Sequence, residues 1–231
     1  MRIVRTPRGA RMVVSDAILS EIRSSPGPTD SLFDVLAACV AALAPGPRVA
    51  LLGFAGGGII APLRAMGFDH PVDAVDLSRA GEKLYRQLSG DWAGVVRIAQ
   101  ADAERWLRRS RRRFDLILED LSITGDSGTI KPYASFDSLP RTIRARLDRS
   151  GLAITNLLPL PGTSNESLAF RVAQPHRCAL VVHPSGYLNR IVIAGDRLSG
   201  AARASRRIRK LLRAIRSNQE KTVSVRTLFR A

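Results

Sequence analysis

The chain has 231 residues, 45% of them hydrophobic and 24% charged, with 36 Lys and Arg against 20 Asp and Glu for a formal charge of +16. That length and apolar content suit one α/β domain and exclude a chain that needs disulfide or metal staples to fold. Aromatic residues are only 5% and do not interleave with the basic clusters, which argues against stacking platforms for single-stranded nucleic acid.

Cys39 and Cys178 are the only cysteines and have no paired spacing, so they read as core thiols in a reducing compartment, with no metal site. The N-terminus has no apolar leader, and the apolar run from Val35 to Ala44 is too short to span a bilayer. A soluble cytoplasmic protein without a membrane partner is expected. The charge itself has two readings, attraction to polyanions or an Arg-rich coding bias; the only lysines are Lys83, Lys131, Lys210 and Lys221.

In chain order, Ile3 to Thr6 and Ala10 to Ser15 predict a hairpin over Pro7, Arg8 and Gly9, followed by a Ser/Pro/Gly linker, so that 1–28 forms a small cap. Thr29 or Ser31 caps a helix whose apolar positions run from Leu32 to Leu43, until Pro45, Gly46 and Pro47 stop it. Val49 to Leu52 is a continuous apolar run, as in a parallel strand covered on both faces. Gly53, Phe54, Gly56, Gly57 and Gly58 then lead into a helix from about Ile59. Glycines there let a ligand approach the backbone, and the first helical amides would point unpaired at it, although glycines also end strands for structural reasons.

Val72 to Asp76 predicts the second strand, and its terminal Asp76 can accept hydrogen bonds from both hydroxyls of a ribose. Ser78 caps the next helix. Val95 to Ala99 is a third strand, with Asp102 at its exit and a helix from Ala103 to Arg111. Phe114 to Asp120 is a fourth strand with Asp120 at its carboxyl end. Ligands of open parallel sheets bind outside the carboxyl ends near the point where strand order reverses, so Gly53, Asp76, Asp102 and Asp120 are expected to share one crevice. Leu121 to Tyr133 reads as a loop over that crevice and a candidate lid, before a helix through Ile143 and Leu147. Gly151 to Leu158 is a fifth strand; Ala179 to His183 and Arg190 to Ala194 predict a closing antiparallel pair. A basic amphipathic helix follows from Ala201. The expected domains are thus 1–28, a nucleoside-binding unit over 29–200, and a basic helix and tail over 201–231.

These segments resemble the spermidine synthase family and, more widely, the class I S-adenosylmethionine-dependent methyltransferases. Gly53-Phe-Ala-Gly-Gly-Gly-Ile-Ile-Ala is similar to their first motif, Ala74-Val-Asp-Leu to their acidic second strand, and Gln100-Ala-Asp-Ala-Glu-Arg-Trp-Leu to their Gly-Asp-Ala-like segment. Phe114-Asp-Leu-Ile-Leu-Glu-Asp resembles their Tyr-Asp-Val-Ile-Ile-x-Asp strand, and Tyr187-Leu-Asn-Arg-Ile-Val-Ile-Ala their C-terminal pair. The resemblance implies a Rossmann-like methyltransferase fold: a mostly parallel twisted sheet with helices on both faces, a C-terminal antiparallel pair and a leading hairpin. It implies S-adenosylmethionine or its decarboxylated form as cofactor. Gly53, Phe54, Gly56, Gly57 and Gly58 would lie beside its amino-acid end and ribose, Asp76 and Leu77 beside the ribose, Asp102 and Ala103 beside the adenine. Asp120 would be both a cofactor neighbour and the catalytic carboxylate that handles the attacking amine.

Three departures bear on the substrate. Asp120 is followed by Leu121-Ser-Ile-Thr where spermidine synthases have Ser-Ser-Asp-Pro, placing Ile123 at the second carboxylate; Leu32-Phe33-Asp34 stands where an amine-binding Gln and a Tyr-His pair are expected; and Gly56 replaces an acidic residue. A polycationic amine needs several carboxylates, so the balance leans to a methyltransferase on a small molecule, with a polyamine aminopropyltransferase as the alternative. Two further alternatives are an NAD-dependent oxidoreductase, reading Gly53, Ala55 and Gly58 with Asp76 as a dinucleotide fingerprint, and a non-catalytic nucleoside- or RNA-binding protein. Weak, non-specific nucleic-acid binding through the basic C-terminal helix and a homodimer complete the expected partners.

Overall fold

The structure is a computed structural model and describes residues 1–14, 17–125 and 128–230. Strands β1 (Arg2–Thr6), β2 (Gly9–Val14) and β3 (Ala17–Arg23) form a three-stranded antiparallel sheet. The expected hairpin is therefore one strand short of the sheet that forms: β3 adds a third strand from residues given no element in the sequence reading, and the Ser/Pro/Gly linker follows it from Ser24. Gly9 makes the first turn workable: at φ 147° a Cβ on it would lie 2.0 Å from the Ile22 carbonyl oxygen.

The main unit alternates helices and strands. Helix α1 (Leu32–Leu43) is capped by Ser31, whose side chain accepts from Phe33 N, and precedes β4 (Val49–Leu52). There follow α2 (Ile60–Ala65), β5 (Val72–Asp76), α3 (Ala80–Ser89), β6 (Val96–Gln100), α4 (Ala103–Arg109) and β7 (Phe114–Glu119). The segment expected as an irregular loop instead carries β8 (Ile123–Gly125) paired with β9 (Gly128–Ile130). Then come α5 (Leu139–Arg146), β10 (Leu147–Leu157), α6 (Asn165–Ala173), β11 (Cys178–His183), β12 (Arg190–Gly195), α7 (Ala201–Ala214) and β13 (Ser224–Arg230).

The main sheet has eight strands in the order β13-β11-β12-β10-β7-β4-β5-β6. β10, β7, β4, β5 and β6 are mutually parallel, while β12, β11 and β13 run antiparallel to their neighbours. This is the expected Rossmann-like architecture, enlarged by β13. The segment 201–231, set apart in the sequence reading as helix and tail, is integral: α7 buries Ala204, Ile208 and Leu212 in the same core as α1, and β13 pairs along β11.

Alternation along the strands splits the interior into two layers. Val49 and Leu51 of β4 pack with α1, α2 and α7 on one face, whereas Ala50 and Leu52 pack with α4 and α5 on the other. Both cysteines are buried and free, and burial pushes the Cys39 thiol up, as suits an inert core thiol. Among the described residues, no helix is long and apolar enough to cross a membrane.

One buried carboxylate ties the two ends of the chain. Asp34, fully buried in α1, accepts from Thr29 N at 2.8 Å, Thr29 Oγ1 at 2.7 Å, Asp30 N at 3.0 Å and Ser217 Oγ, beyond α7, at 2.6 Å. Burial pushes its carboxyl up while these donors favour the ionised form. Asp34→Ala strands several buried donors at once and is expected to lower stability by about 2–4 kcal/mol, read from urea unfolding midpoints.

Candidate functional site

Strand order reverses between β4 and β7, and the turn after β4 faces the residue after β7. Gly53 has φ 88°, and a Cβ on it would sit 2.6 Å from the Asp120 carbonyl oxygen, so only glycine lets the two strand exits approach this closely. Gly53 N donates to Val75 O at 3.0 Å, and Asp120 N to Leu52 O at 2.8 Å. The next two amides are taken by β5: Phe54 N and Ala55 N donate to Asp76 Oδ2 at 2.9 and 2.7 Å, and Ser78 N donates to Asp76 Oδ1 at 2.8 Å. Ala55 is held at φ 46°, a left-handed conformation that costs a non-glycine residue on the order of 1–3 kcal/mol.

The remaining glycines have a different reason. A Cβ on Gly56 would lie 2.4 Å from Ile22 Cδ1, one on Gly57 2.6 Å from the Phe54 ring, and one on Gly58 3.0 Å from Ser20 Oγ. Gly58 N donates to that Ser20 hydroxyl at 3.0 Å. The glycine run thus admits β3 of the N-terminal sheet against the turn, and the Gly58 amide is satisfied by Ser20; of the first helical amides, expected to point unpaired at a ligand, that of Ile60 donates to Gly57 O at 2.9 Å. Gly81 is as constrained, since a Cβ there would lie 1.5 Å from Ala55 O.

Across the switch point, Asp120 Oδ1 accepts from Asn156 Nδ2 at 2.7 Å, and Asn156 Oδ1 accepts from Asn189 Nδ2 at 3.0 Å. Burial pushes the Asp120 carboxyl up to about 6; Lys131 and the Asn156 bond pull it down, and Glu119 adds to the rise. Glu119 and Lys131 form a buried ion pair at 2.6 Å. Glu119 Oε1 also accepts from Leu121 N and Ser135 Oγ, and Lys131 Nζ also donates to Leu121 O. These bonds anchor the foot of the β8–β9 hairpin to the end of β7. Removing one partner of such a pair costs about 3–5 kcal/mol, so the ion pair ties the hairpin foot to the sheet.

Between these walls lies a cavity of about 590 Å³. Its lining includes Gly53, Phe54, Ala55, Gly58, Asp76, Leu77, Ser78, Asp120, Leu121, Asn156 and Asn189. An apolar side is formed by Ile18 and Leu19 of β3, Leu32 and Phe33 of α1, Leu158 and Tyr187. Of the residues singled out in the sequence, Gly53, Phe54, Gly58, Asp76, Leu77 and Asp120 meet at this cavity; Gly56, Gly57, Asp102 and Ala103 do not line it. Asp102 is exposed and caps α4, its Oδ1 accepting from Arg105 N at 2.8 Å, and Ala103 is buried beneath it. Sequence reasoning missed Asn156, Asn189, Lys131 and Ser20. Only Lys131 carried a signal, as a rare lysine beside the acidic end of β7.

Sheet order, antiparallel closing strands and a cavity at the switch point define the fold of the class I S-adenosylmethionine-dependent methyltransferases, in a form like that of the spermidine synthases. Human methyltransferase-like protein 13 in complex with SAH matches with TM-score 0.61 at 17% identity, over 80% of this chain and 90% of that one. A spermidine synthase in complex with the transition state analogue AdoDATO matches with TM-score 0.61 at 14% identity, over 94% of this chain and 74% of that one. The spermidine synthase from Thermotoga maritima matches at 0.60 and 15%, over 85% and 69%. No protein-family model and no curated protein matches the sequence.

The elevated Asp120 carboxyl has a consequence for stability. Its ordinary value of 3.8 applies to the unfolded chain and about 6 to the folded one, so between these values the folded state binds more protons. Its contribution to stability therefore falls as pH rises from about 4 to 6. Asp120→Asn is expected to flatten that part of the stability profile, measured by urea unfolding at several pH values across the window.

Proposed function

We propose that this chain is a transferase that binds a donor of the S-adenosylmethionine type and passes its methyl group to a small acceptor. The observation that carries the reading is the pairing of Asp76 and Asp120 on one cavity, on opposite sides of the switch point. The residues present suit such a donor. Asp76 Oδ1 receives one bond, from Ser78 N, and keeps acceptor capacity for ribose hydroxyls; Leu77 and Leu121 offer apolar contact for a base. The volume falls in the usual range of about 300–1,000 Å³ for small-molecule sites.

A sulfonium donor, when bound, supplies an electrophilic carbon whose leaving group is a neutral thioether. Asp120 takes the proton that the acceptor's nitrogen or oxygen sheds as it forms its bond to that carbon. A carboxyl held near 6 by a dry setting is partly poised for this at neutral pH. The apolar wall excludes water and favours an acceptor with one nucleophilic nitrogen or oxygen on an apolar body. Among the described residues the cavity is lined by two carboxylates, one of them committed to the β4 turn, poor provision for a polyamine, which supports methyl over aminopropyl transfer. The antiparallel closing strands favour this class over an NAD-dependent oxidoreductase.

The test is calorimetric titration with S-adenosylmethionine, its decarboxylated form, 5′-methylthioadenosine and NAD. Binding of the first and third is expected, and a preference for NAD would sink the proposal. Asp76→Ala should weaken donor binding by about 1.5–3 kcal/mol for each hydrogen bond lost, whereas Asp102→Ala should cost about 1 kcal/mol of stability and leave affinity unchanged. Equal affinity losses in both variants would restore Asp102 to the site.

A separate observation bears on polyanions. Arg203, Arg206, Arg207 and Lys210 on the exposed face of α7 form no ion pair among the described residues. If all four met RNA phosphates, binding would fall with salt at a log–log slope of about −3, without sequence preference. Filter binding across a salt series checks this; selectivity that persists at high salt would contradict it.

A further inference from the structure

Asp120 does not stand alone at the end of β7. Asn156 lies in β10, the parallel neighbour of β7, and is only 6% exposed. Asn189 immediately precedes β12, whose antiparallel register sets Arg190 opposite Leu157. The sheet therefore delivers three side chains from three segments into a single file, Asn189 to Asn156 to Asp120, and all three line the cavity.

The direction of that file is fixed by chemistry. An amide offers a donor on one side and an acceptor on the other, and rotating Asn156 by half a turn would set its carbonyl oxygen against the carboxylate. The Asn189 amino group opposes the rotation, because it needs the Asn156 oxygen as acceptor. An ionised Asp120 can only accept, so it holds the Asn156 amino group toward itself and leaves the Asn156 oxygen to Asn189. Asp120 Oδ1 is thereby occupied, while Oδ2 accepts no hydrogen bond from the described residues.

We propose that Asn156 and Asn189 are positioning residues: Asn189 orients Asn156, and Asn156 holds Asp120 so that Oδ2 is the oxygen offered to the acceptor's proton. The inference rests on the reading of Asp120 as the proton-accepting group. Among the described residues, the charged groups that face Asp120 are Lys131, which favours its ionised form, and Glu119, which opposes it. Neither belongs to the asparagine file, so the effect of the file can be separated from theirs.

The experiment is a carbon-13 carboxyl NMR titration of the full chain without ligand, with Asp120→Asn identifying the resonance. Asn156→Leu keeps the shape and removes the donor, and is expected to lower the acid dissociation constant of Asp120 about three- to tenfold. Asn189→Ala should lower it by a smaller factor. The double variant should match Asn156→Leu alone, because Asn189 acts only through Asn156. An unchanged midpoint in Asn156→Leu would overturn the proposal, and so would an Asn189→Ala effect that persists in the double variant. If Asn156→Leu does not fold, Asn156→Ala is read in the same way. Titration with S-adenosylmethionine runs in parallel: failure to bind with these shifts present removes the donor reading and leaves the positioning intact, and binding without the shifts does the reverse.

Discussion

The Asp76 carboxylate accepts from the amides of Phe54 and Ala55, and through those two bonds β5 dictates the path of the chain leaving β4. Ala55 is drawn into a left-handed conformation, and its carbonyl is pressed so close to α3 that Gly81 has no room for a side chain. The same turn brings Gly53 against the backbone of Asp120, joining the two halves of the sheet at the point where a ligand would lie. A donor that hydrogen-bonds to Asp76 therefore acts on a carboxylate already holding the turn under tension. On the proposed reading, ligand and scaffold would share one group.

The elements legible in the sequence were those whose pattern is local. Val49–Leu52 is a continuous apolar run and Phe114–Glu119 carries the apolar centre Leu116–Leu118 because both faces of the sheet are covered, and Leu32–Leu43 keeps its helical period between a serine cap and a proline stop. β13, with its arginines and exposed positions, shows no apolar alternation; its place is earned by backbone pairing with β11, which no window of its own residues reveals. β3 was hidden by a buried Ser20 and Glu21, and α6 lies in a stretch that the sequence reading left unassigned.

The site divides along the same line. Asp76 and Asp120 were legible because a carboxylate at a parallel-strand exit has a topological meaning. Asn156 and Asn189 were not, since their roles arise from partners 36 and 33 residues away. The glycine run was readable as a close approach, but not what approaches. Gly56 and Gly58 are small because Ile22 and Ser20 of the N-terminal sheet press against them, so the cap and the binding turn are one packing unit.

The charge of +16 and the character of the cavity pull in opposite directions. Outside, arginines give the molecule its positive charge; inside, the charged groups on the wall, among the described residues, are the carboxylates of Asp76 and Asp120. A cationic molecule bound for that well must first climb a repulsive field that reaches about 10 Å at 0.1 M salt, and added salt lowers the climb. A neutral molecule feels no such barrier. On the proposed reading, the encounter rate would thus discriminate before any contact is made, admitting an uncharged acceptor at the ordinary pace and delaying the sulfonium donor and any cationic acceptor alike.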